Sequence, residues 1–266
     1  NKYRLAVLGS DKRGTAYGLM TLVRMMGVSP WQWWADCEPT PREMFQLEAD
    51  FERLEVPSVA YRGIFINDED WGLNPWSSNN YEPKMRQRNG EDSTPRNGEI
   101  GPYTHERIFE LLLRLRANIF WPAMHECTVP FYLIKGNKEV ADKYGILIST
   151  SHCEPMMRNT NGEWRKAGLG DYNFVTNAKQ VVHFWEERVK ELSGSDCLYT
   201  LGMRGVHDSA MEGAKTIPEQ VKVLTDVLKV QRDLLAMHVN AQVDKVPQQF
   251  IPYKEVLDCY HSGLQV

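Results

Sequence analysis

Residues 62–72, RGIFINDEDWG, run from a short apolar stretch straight into three consecutive carboxylates, Asp68, Glu69 and Asp70, followed by Trp71. Adjacent like charges repel one another, so such a run is either a solvated turn or a place where chemistry needs negative charge. Four later stretches have the same form. WPAMHE brings His125 and Glu126, SHCEP brings His152 and Glu154, MRGVHD brings Arg204, His207 and Asp208, and YKE brings Lys254 and Glu255. Breaking a glycosidic bond needs two carboxyl groups, one protonated to donate to the leaving oxygen and one ionised. Asp70, Glu126, Asp208 and Glu255 are the candidates. An inverting enzyme holds the two carboxyls roughly 6.5–9.5 Å apart, a separation more natural between different strands than within NDED. The planar fork of Arg204 suits a bidentate grip on a substrate carboxylate, with a salt bridge to the acids as the plain alternative. His125, His152 and His207 are equally fit to donate to a substrate oxygen or to make a structural hydrogen bond. As metal ligands they are weak candidates, because each stretch offers one histidine and no His-x-His pair occurs, so no metal and no cofactor are expected. GSDKRG has its glycines at the wrong interval for a dinucleotide loop. Trp71, beside the carboxylates, is a better sugar-stacking platform than Trp121, although both residues suit ordinary packing.

The elements that must position these groups read as alternating strands and helices. Strands are expected at 62–67, 118–122, 146–150, 197–203 and 249–253, and the reactive residues follow each one directly. Helices are expected over THERIFELLLRLRA with Thr104 as N-cap, over NAKQVVHFWEERVKELSG starting at Asn177 and ending at Gly194, and over TIPEQVKVLTDVLKVQRDLLAMH with Thr216 as cap and Pro218 just inside. That rhythm means βαβ units and a parallel sheet, with chemistry at the carboxyl ends of the strands. The periodicity predicts a (β/α) barrel site, or five-eighths of one. Before it, YRLAVLGSDKRGTAYGLMTLVRMMG reads as a strand, a loop and a helix, and the Pro-rich stretch that follows marks a connector at about 50–60. The expected organisation is therefore residues 1–55 as the C-terminal part of a small α/β domain and residues 56–266 as the first part of a TIM-barrel catalytic domain.

Composition narrows the partners. The chain has 31 basic and 35 acidic residues, a formal net charge of −4, and no basic run, which argues against nucleic acid. No apolar run approaches the roughly 20 residues of a membrane span. Five cysteines lie scattered without CxxC spacing, so they read as mostly buried thiols and not as a zinc knuckle or disulfide frame. Eight tryptophans are many for 266 residues and suit either sugar faces or a core.

Taken in order, DKRGTAYGL, RGIFINDEDWG, WPAMHE, SHCEPM, LGMRGVHD and QQFIPYKEV resemble glycoside hydrolase family 115, the α-glucuronidases that remove glucuronic acid or its 4-O-methyl ether from xylan side chains. The resemblance runs over nearly the whole chain. It implies an inverting hydrolase on a (β/α)8 TIM barrel, preceded by a small α/β domain and followed by helical and β-sandwich domains. It makes Asp70, Asp208 and Glu255 essential carboxylates, with Asp208 assigned as general acid, Glu255 as base, and the reverse assignment open. Arg204, His207, Asp68, Trp71, His125, Glu126, His152 and Lys254 are the expected substrate-binding residues. Asp68 and Asp70 are expected on one side of the extended chain and Glu69 on the other, in a wet loop. The expected partner is a polysaccharide or oligosaccharide carrying glucuronic acid, with no nucleic acid, no membrane, and a homodimer possible through domains absent from this chain. The parent protein is expected to be extracellular or periplasmic. Five strands of eight imply a fragment, unstable or inactive alone. The alternatives are a hexosaminidase-like glycosidase using the neighbouring acids Asp68, Glu69 and Asp70, and a carbohydrate-binding relative without turnover.

Overall fold

The computed structural model describes residues 4–266. Helix α1 (Lys12–Met25) opens the regular structure, capped by the Asp11 side chain, which accepts from the Gly14 N–H. Residues 4–9 carry no strand, so the expected opening strand is absent among the described residues, and its first residue, Tyr3, lies outside them. α1 docks on the following β/α body. The Tyr17 hydroxyl donates to the Ala117 carbonyl at 2.9 Å and Arg13 Nε to the Gly145 carbonyl at 2.5 Å.

Five short strands then alternate with helices. They are β1 (Gly63–Phe65), β2 (Ile119–Trp121), β3 (Leu147–Ile148), β4 (Tyr199–Leu201) and β5 (Gln248–Phe250). Each falls inside or within one residue of its expected span, trimmed at the ends because the chain leaves the ladder early to form the polar loops. Between β1 and β2 come α2 (Leu73–Trp76), a π-helical turn at Ser77–Tyr81, α3 (Glu82–Arg88) and α4 (Pro102–Arg114). Later come α5 (Asn137–Tyr144), α6 (Gly162–Ala167), α7 (Phe174–Glu191), α8 (Ile217–His238) and α9 (Glu255–His261).

All pairings are parallel and follow chain order. β1 pairs with β2, β2 with β3, and β4 with β5, while a parallel bridge between Ile148 and Cys197 joins the two groups. Alternation along the strands splits the sheet into two faces. Phe120, Ile148, Tyr199 and Leu201 pack with Leu112 of α4, Trp185 of α7, Leu224 of α8 and Val256 of α9 in one continuous core. Ile119, Leu147 and Leu198 turn the other way into a separate small cluster with Trp121. Above that cluster the inward layer becomes polar, where Gln249 Nε2 donates to Thr200 Oγ1 at 3.0 Å and to the Thr150 carbonyl at 3.0 Å. Large helices thus cover the outer face, while the inner face grades from apolar to hydrogen-bonding toward the strand ends.

Two helix starts differ from expectation. Thr104 is not the cap of α4. That helix begins after Gly101, Thr104 is buried, and its N–H is taken by Glu82 Oε1 at 2.6 Å from a neighbouring helix. α7 is capped by Asn173, whose side chain accepts from the N–H groups of Val175 and Thr176, and Asn177 sits inside the helix with non-helical angles. Thr216 does cap α8, in a reciprocal box with Glu219 and with Pro218 in the first turn. The cysteines are all free; Cys153, Cys197 and Cys259 are buried and Cys37 and Cys127 exposed. Among the tryptophans, Trp164 and Trp185 are buried, and Trp33, Trp34 and Trp76 cluster with Tyr81. Most of the aromatic surplus is therefore packing. No helix of the described residues is long and apolar enough to cross a membrane.

Candidate active site

Arg204 organises the carboxyl end of β4. Gly202, with φ +105°, turns the chain there, and Gln231 of α8 pins the turn by accepting from the Gly202 N–H and donating to its carbonyl, each at 2.8 Å. The chain then delivers Arg204 almost fully buried, with its guanidinium between two acids from different strand ends. Nε and Nη2 donate to the two oxygens of Glu255 at 2.9 and 3.0 Å, and Nη1 donates to Asp208 Oδ1 at 2.5 Å. Asp208 also accepts from Lys254 Nζ at 2.6 Å and His152 Nε2 at 3.2 Å. Residues following β3, β4 and β5 therefore meet around one carboxylate. Tyr253 floors the group, its ring centroid 4.2 Å from that of His152, with the Arg204 guanidinium 5.4 Å above it.

Burial lifts the Asp208 carboxyl, but hydrogen bonds from Lys254, Arg204 and His152 outweigh it and hold Asp208 well below the usual carboxylate range. Burial lowers His152, opposed by its bond to Asp208, leaving a neutral imidazole that donates through Nε2.

A second group forms where β1 and β2 end. Asp70 Oδ2 accepts from His125 Nδ1 at 3.0 Å, and its other oxygen accepts from the Cys127 thiol. These bonds, the thiol's foremost, hold Asp70 below its ordinary value. Glu69 is not a solvated bystander. Its side chain is wholly buried, and Oε1 accepts from the His125 N–H at 2.9 Å and from Thr128 Oγ1 at 3.1 Å. The expected wet loop is thus corrected: the middle acid of NDED turns inward because two donors await it. His207 links the groups, its ring centroid 6.1 Å from that of His125. Its φ of +53° and that of Lys254, +50°, put two non-glycine residues in the left-handed region at the site. Such backbone is held only where surrounding contacts enforce it.

Of the residues expected from sequence, Asp70 and His125 come together at one end, and His152, Arg204, Asp208, Lys254 and Glu255 at the other, with His207 between. Asp68 and Trp71 are exposed, Trp71 at 89%, and neither makes a side-chain hydrogen bond among the described residues. Glu126 turns outward to Arg165 at 2.7 Å. The sequence reading placed Glu69 only in the hexosaminidase-like alternative and passed over Tyr253, although it stands inside a stretch that drew attention, and over Cys127, Asn159 and Thr160. Ligand atoms of Glu69, Asp70 and His125, and of His152, Cys153 and Asp208, lie close enough to hold an ion. The carboxylates and imidazoles of both sets are already paired by hydrogen bonds, Asp208 of the second under two protein cations, so no metal role is assigned to either.

Acids, a guanidinium and imidazoles gathered at the carboxyl ends of a chain-ordered parallel sheet define a β/α protein with an acid–base site at one mouth of its sheet. Residues 55–266 match the profile of glycosyl hydrolase family 115, and the chain belongs to that family. A solved structure of a family GH115 4-O-methyl-α-glucuronidase, BtGH115A, with specificity for decorated arabinogalactans, is 60% identical in sequence with a TM-score of 0.91. The similarity covers 97% of this chain and 33% of that one, so the chain spans about a third of the relative's length. No curated protein matches the chain.

Proposed function

We propose that the protein carrying this chain is an inverting α-glucuronidase that removes α-linked glucuronic acid, or its 4-O-methyl ether, from side chains of xylan or a related plant polysaccharide. The observation that carries the reading is Arg204 holding Asp208 and Glu255 from two strand ends on one guanidinium. This brings two carboxyls from different strands to a single opening, as glycoside hydrolysis by a carboxyl pair requires. On this reading the five strands are the first part of a (β/α)8 barrel in residues 56–266. Support comes from chain-ordered parallel pairing with the large helices on one face, the arrangement that closes on itself instead of remaining doubly wound. Residues 1–55 are the end of a preceding α/β domain, and the parent protein acts outside the cytoplasm on polymeric substrate.

An acid catalyst must carry a proton, yet Asp208 is held ionised by Lys254, Arg204 and His152. The substrate resolves this. A uronate carboxylate drawn to Lys254 and Arg204 competes for the cations that hold Asp208 and adds a like charge beside it. Both effects raise the affinity of Asp208 for a proton, so it becomes a donor in the complex. Glu255 then serves as base for the attacking water, and the reverse assignment is separated by variants. Asp70, Asp68, His125, His207 and Trp71 contribute contacts to sugar hydroxyls and rings. The hexosaminidase-like alternative needs two free neighbouring acids. Glu69 is buried against His125, and Asp70 is bound by His125 and Cys127, which weighs against it.

The test is proton NMR of the full-length protein with a glucuronosyl-substituted oligosaccharide. Release of β-configured uronic acid first, abolished in Asp208→Asn and Glu255→Gln, is the expected result. Release of the α anomer first would remove the inverting assignment, and binding without release would make the protein a carbohydrate-binding relative.

A further inference from the structure

Beneath the histidines runs a buried polar chain that the proposed chemistry does not use directly. The peptide unit joining Met124 to His125, at the end of β2, is gripped at both poles. Its N–H donates to Glu69 Oε1 at 2.9 Å and its carbonyl accepts from Asn159 Nδ2 at 3.2 Å. The same Asn159 amide donates to Glu154 Oε1 at 2.9 Å, and Asn159 Oδ1 accepts from the Gly162 N–H at 2.6 Å, which fixes the loop at the start of α6. Glu69, Asn159 and Glu154 are all buried, at 1, 4 and 5% exposure. The next residue, Thr160, uses Oγ1 to donate to the Cys153 carbonyl at 2.9 Å and to accept from the His207 N–H at 2.8 Å, both ordinary hydrogen-bond lengths. One loop therefore sets His125 through Asn159 and the strained His207 through Thr160.

We infer that the chain Glu154–Asn159–peptide 124/125–Glu69 is a positioning device that fixes His125 and His207 for substrate, with Glu154 as its terminal residue. The inference rests on the glycosidase reading of the site. Glu154 and Glu69 each keep one buried oxygen, Oε2, without a partner. Two ionised carboxylates on one buried chain would lack a counter-charge of their own. Arg188 of α7, the cation that faces Glu154, is committed to Glu163 of α6 at 2.7 Å, and Arg158 to the same acid at 2.6 Å. The remaining charged groups facing Glu154 are Glu163 and Glu69, both acids. Burial, with help from those two, pushes Glu154 up to about 8, against the opposing pull of Asn159 and Arg188. Glu154 thus holds its proton at neutral pH, and the neutral acid keeps Asn159 turned toward Met124. A carboxylate there would draw the amide harder while lacking a charge partner, and the loop bearing Thr160 would shift.

The variants E154Q and N159A of the full-length protein test this. E154Q, which mimics the neutral acid, keeps kcat/KM at pH 7 within about threefold of wild type. The wild type is expected to lose kcat as pH rises through about 8, and E154Q to lack that fall. N159A lowers kcat by about tenfold or more with its fold intact, because both histidines lose their common support. Infrared difference spectra of wild type minus E154Q carry a protonated-carboxyl stretch at pH 7 that fades above about pH 8. An E154Q as impaired as N159A, an alkaline fall that persists in E154Q, or no such stretch would overturn the inference. The spectroscopic arm needs no turnover. A protein inactive on glucuronosyl substrates would therefore defeat the glucuronidase reading while the spectra still decide the proton on Glu154.

Discussion

Replacing Arg204 by lysine keeps the charge and removes the fork, and this separates the role of Arg204 as an organiser of two acids from a role as a mere counter-charge. Arg204 donates four hydrogen bonds, two to the Glu255 carboxylate and two to Asp208, one of them to its backbone carbonyl at 3.2 Å. A lysine ammonium on a shorter reach satisfies one carboxylate well and the other poorly, so at least two of the four are lost. At ~1.5–3 kcal/mol for each bond to a charged group, reduced because Asp208 is more than a third open to solvent, the loss comes to about 3 kcal/mol. The two carboxylates also separate, and a displacement of about 1 Å at reacting groups lowers kcat by about a hundredfold. Urea unfolding of the full-length protein measures the first effect, and initial rates on a 4-O-methylglucuronosyl oligosaccharide the second. Lys254→Met is the companion variant. It removes one exposed contact to Asp208, so its unfolding midpoint stays near wild type while KM rises. An Arg204→Lys protein within about 1 kcal/mol of wild-type stability and within threefold of its kcat/KM would refute the argument that the fork joins the two acids.

Three further outcomes follow from named contacts. Trp71→Ala leaves stability within about 0.5 kcal/mol, because the ring is exposed and touches no core. It raises KM about fivefold if the ring stacks on sugar, measured by initial rates. Gly63→Ala lowers stability by more than about 3 kcal/mol in urea, since the new Cβ would lie 1.8 Å from the Ile119 carbonyl oxygen on the paired strand and backbone cannot give way cheaply. His105 is fully buried, and burial lowers it from 6.5 to about 4. The unfolded chain therefore takes up a proton below pH 6.5 that the folded protein refuses, and stability falls as pH drops, by about 3 kcal/mol at pH 4, where the loss levels off. His105→Asn removes that part of the slope in chemical unfolding followed from pH 7 to 4.

The β/α order was legible because short apolar strand runs and helices with one apolar stripe have different periods, and each strand's reactive residues followed it directly. The sequence also paired Asp208 with Glu255 and offered Arg204 either a grip on a substrate carboxylate or a salt bridge to the acids, and the structure holds both acids on the one guanidinium. What the sequence hid was side-chain direction in irregular loops. In NDED the two-residue alternation does put Asp68 and Asp70 on the exposed side and Glu69 on the other, but the loop around Glu69 is not wet, and nothing local announced that its side is the interior. Its actual direction follows from distant partners, the His125 N–H and the Thr128 hydroxyl, 56 and 59 residues away. Glu126 failed in the opposite sense. It sits beside His125 in sequence, but His125 is held inward at its backbone, and the next side chain is left to turn outward to Arg165. The same reasoning separates the α4 and α8 starts. Thr216 precedes Glu219 by three residues, so its cap is encoded locally, whereas Thr104 is satisfied by Glu82 from another helix, a partner no local pattern announces. Local hydrogen bonding is legible at α8, where Thr216 and Glu219 cap each other, but not at α7, where Asn173 caps Val175 and Thr176 while Asn177 offered a competing start four residues on. Apart from Arg204–Asp208, four residues apart, the bonds to the site's carboxylates join residues 46 to 59 apart, so its residue types could be read from the sequence before its roles.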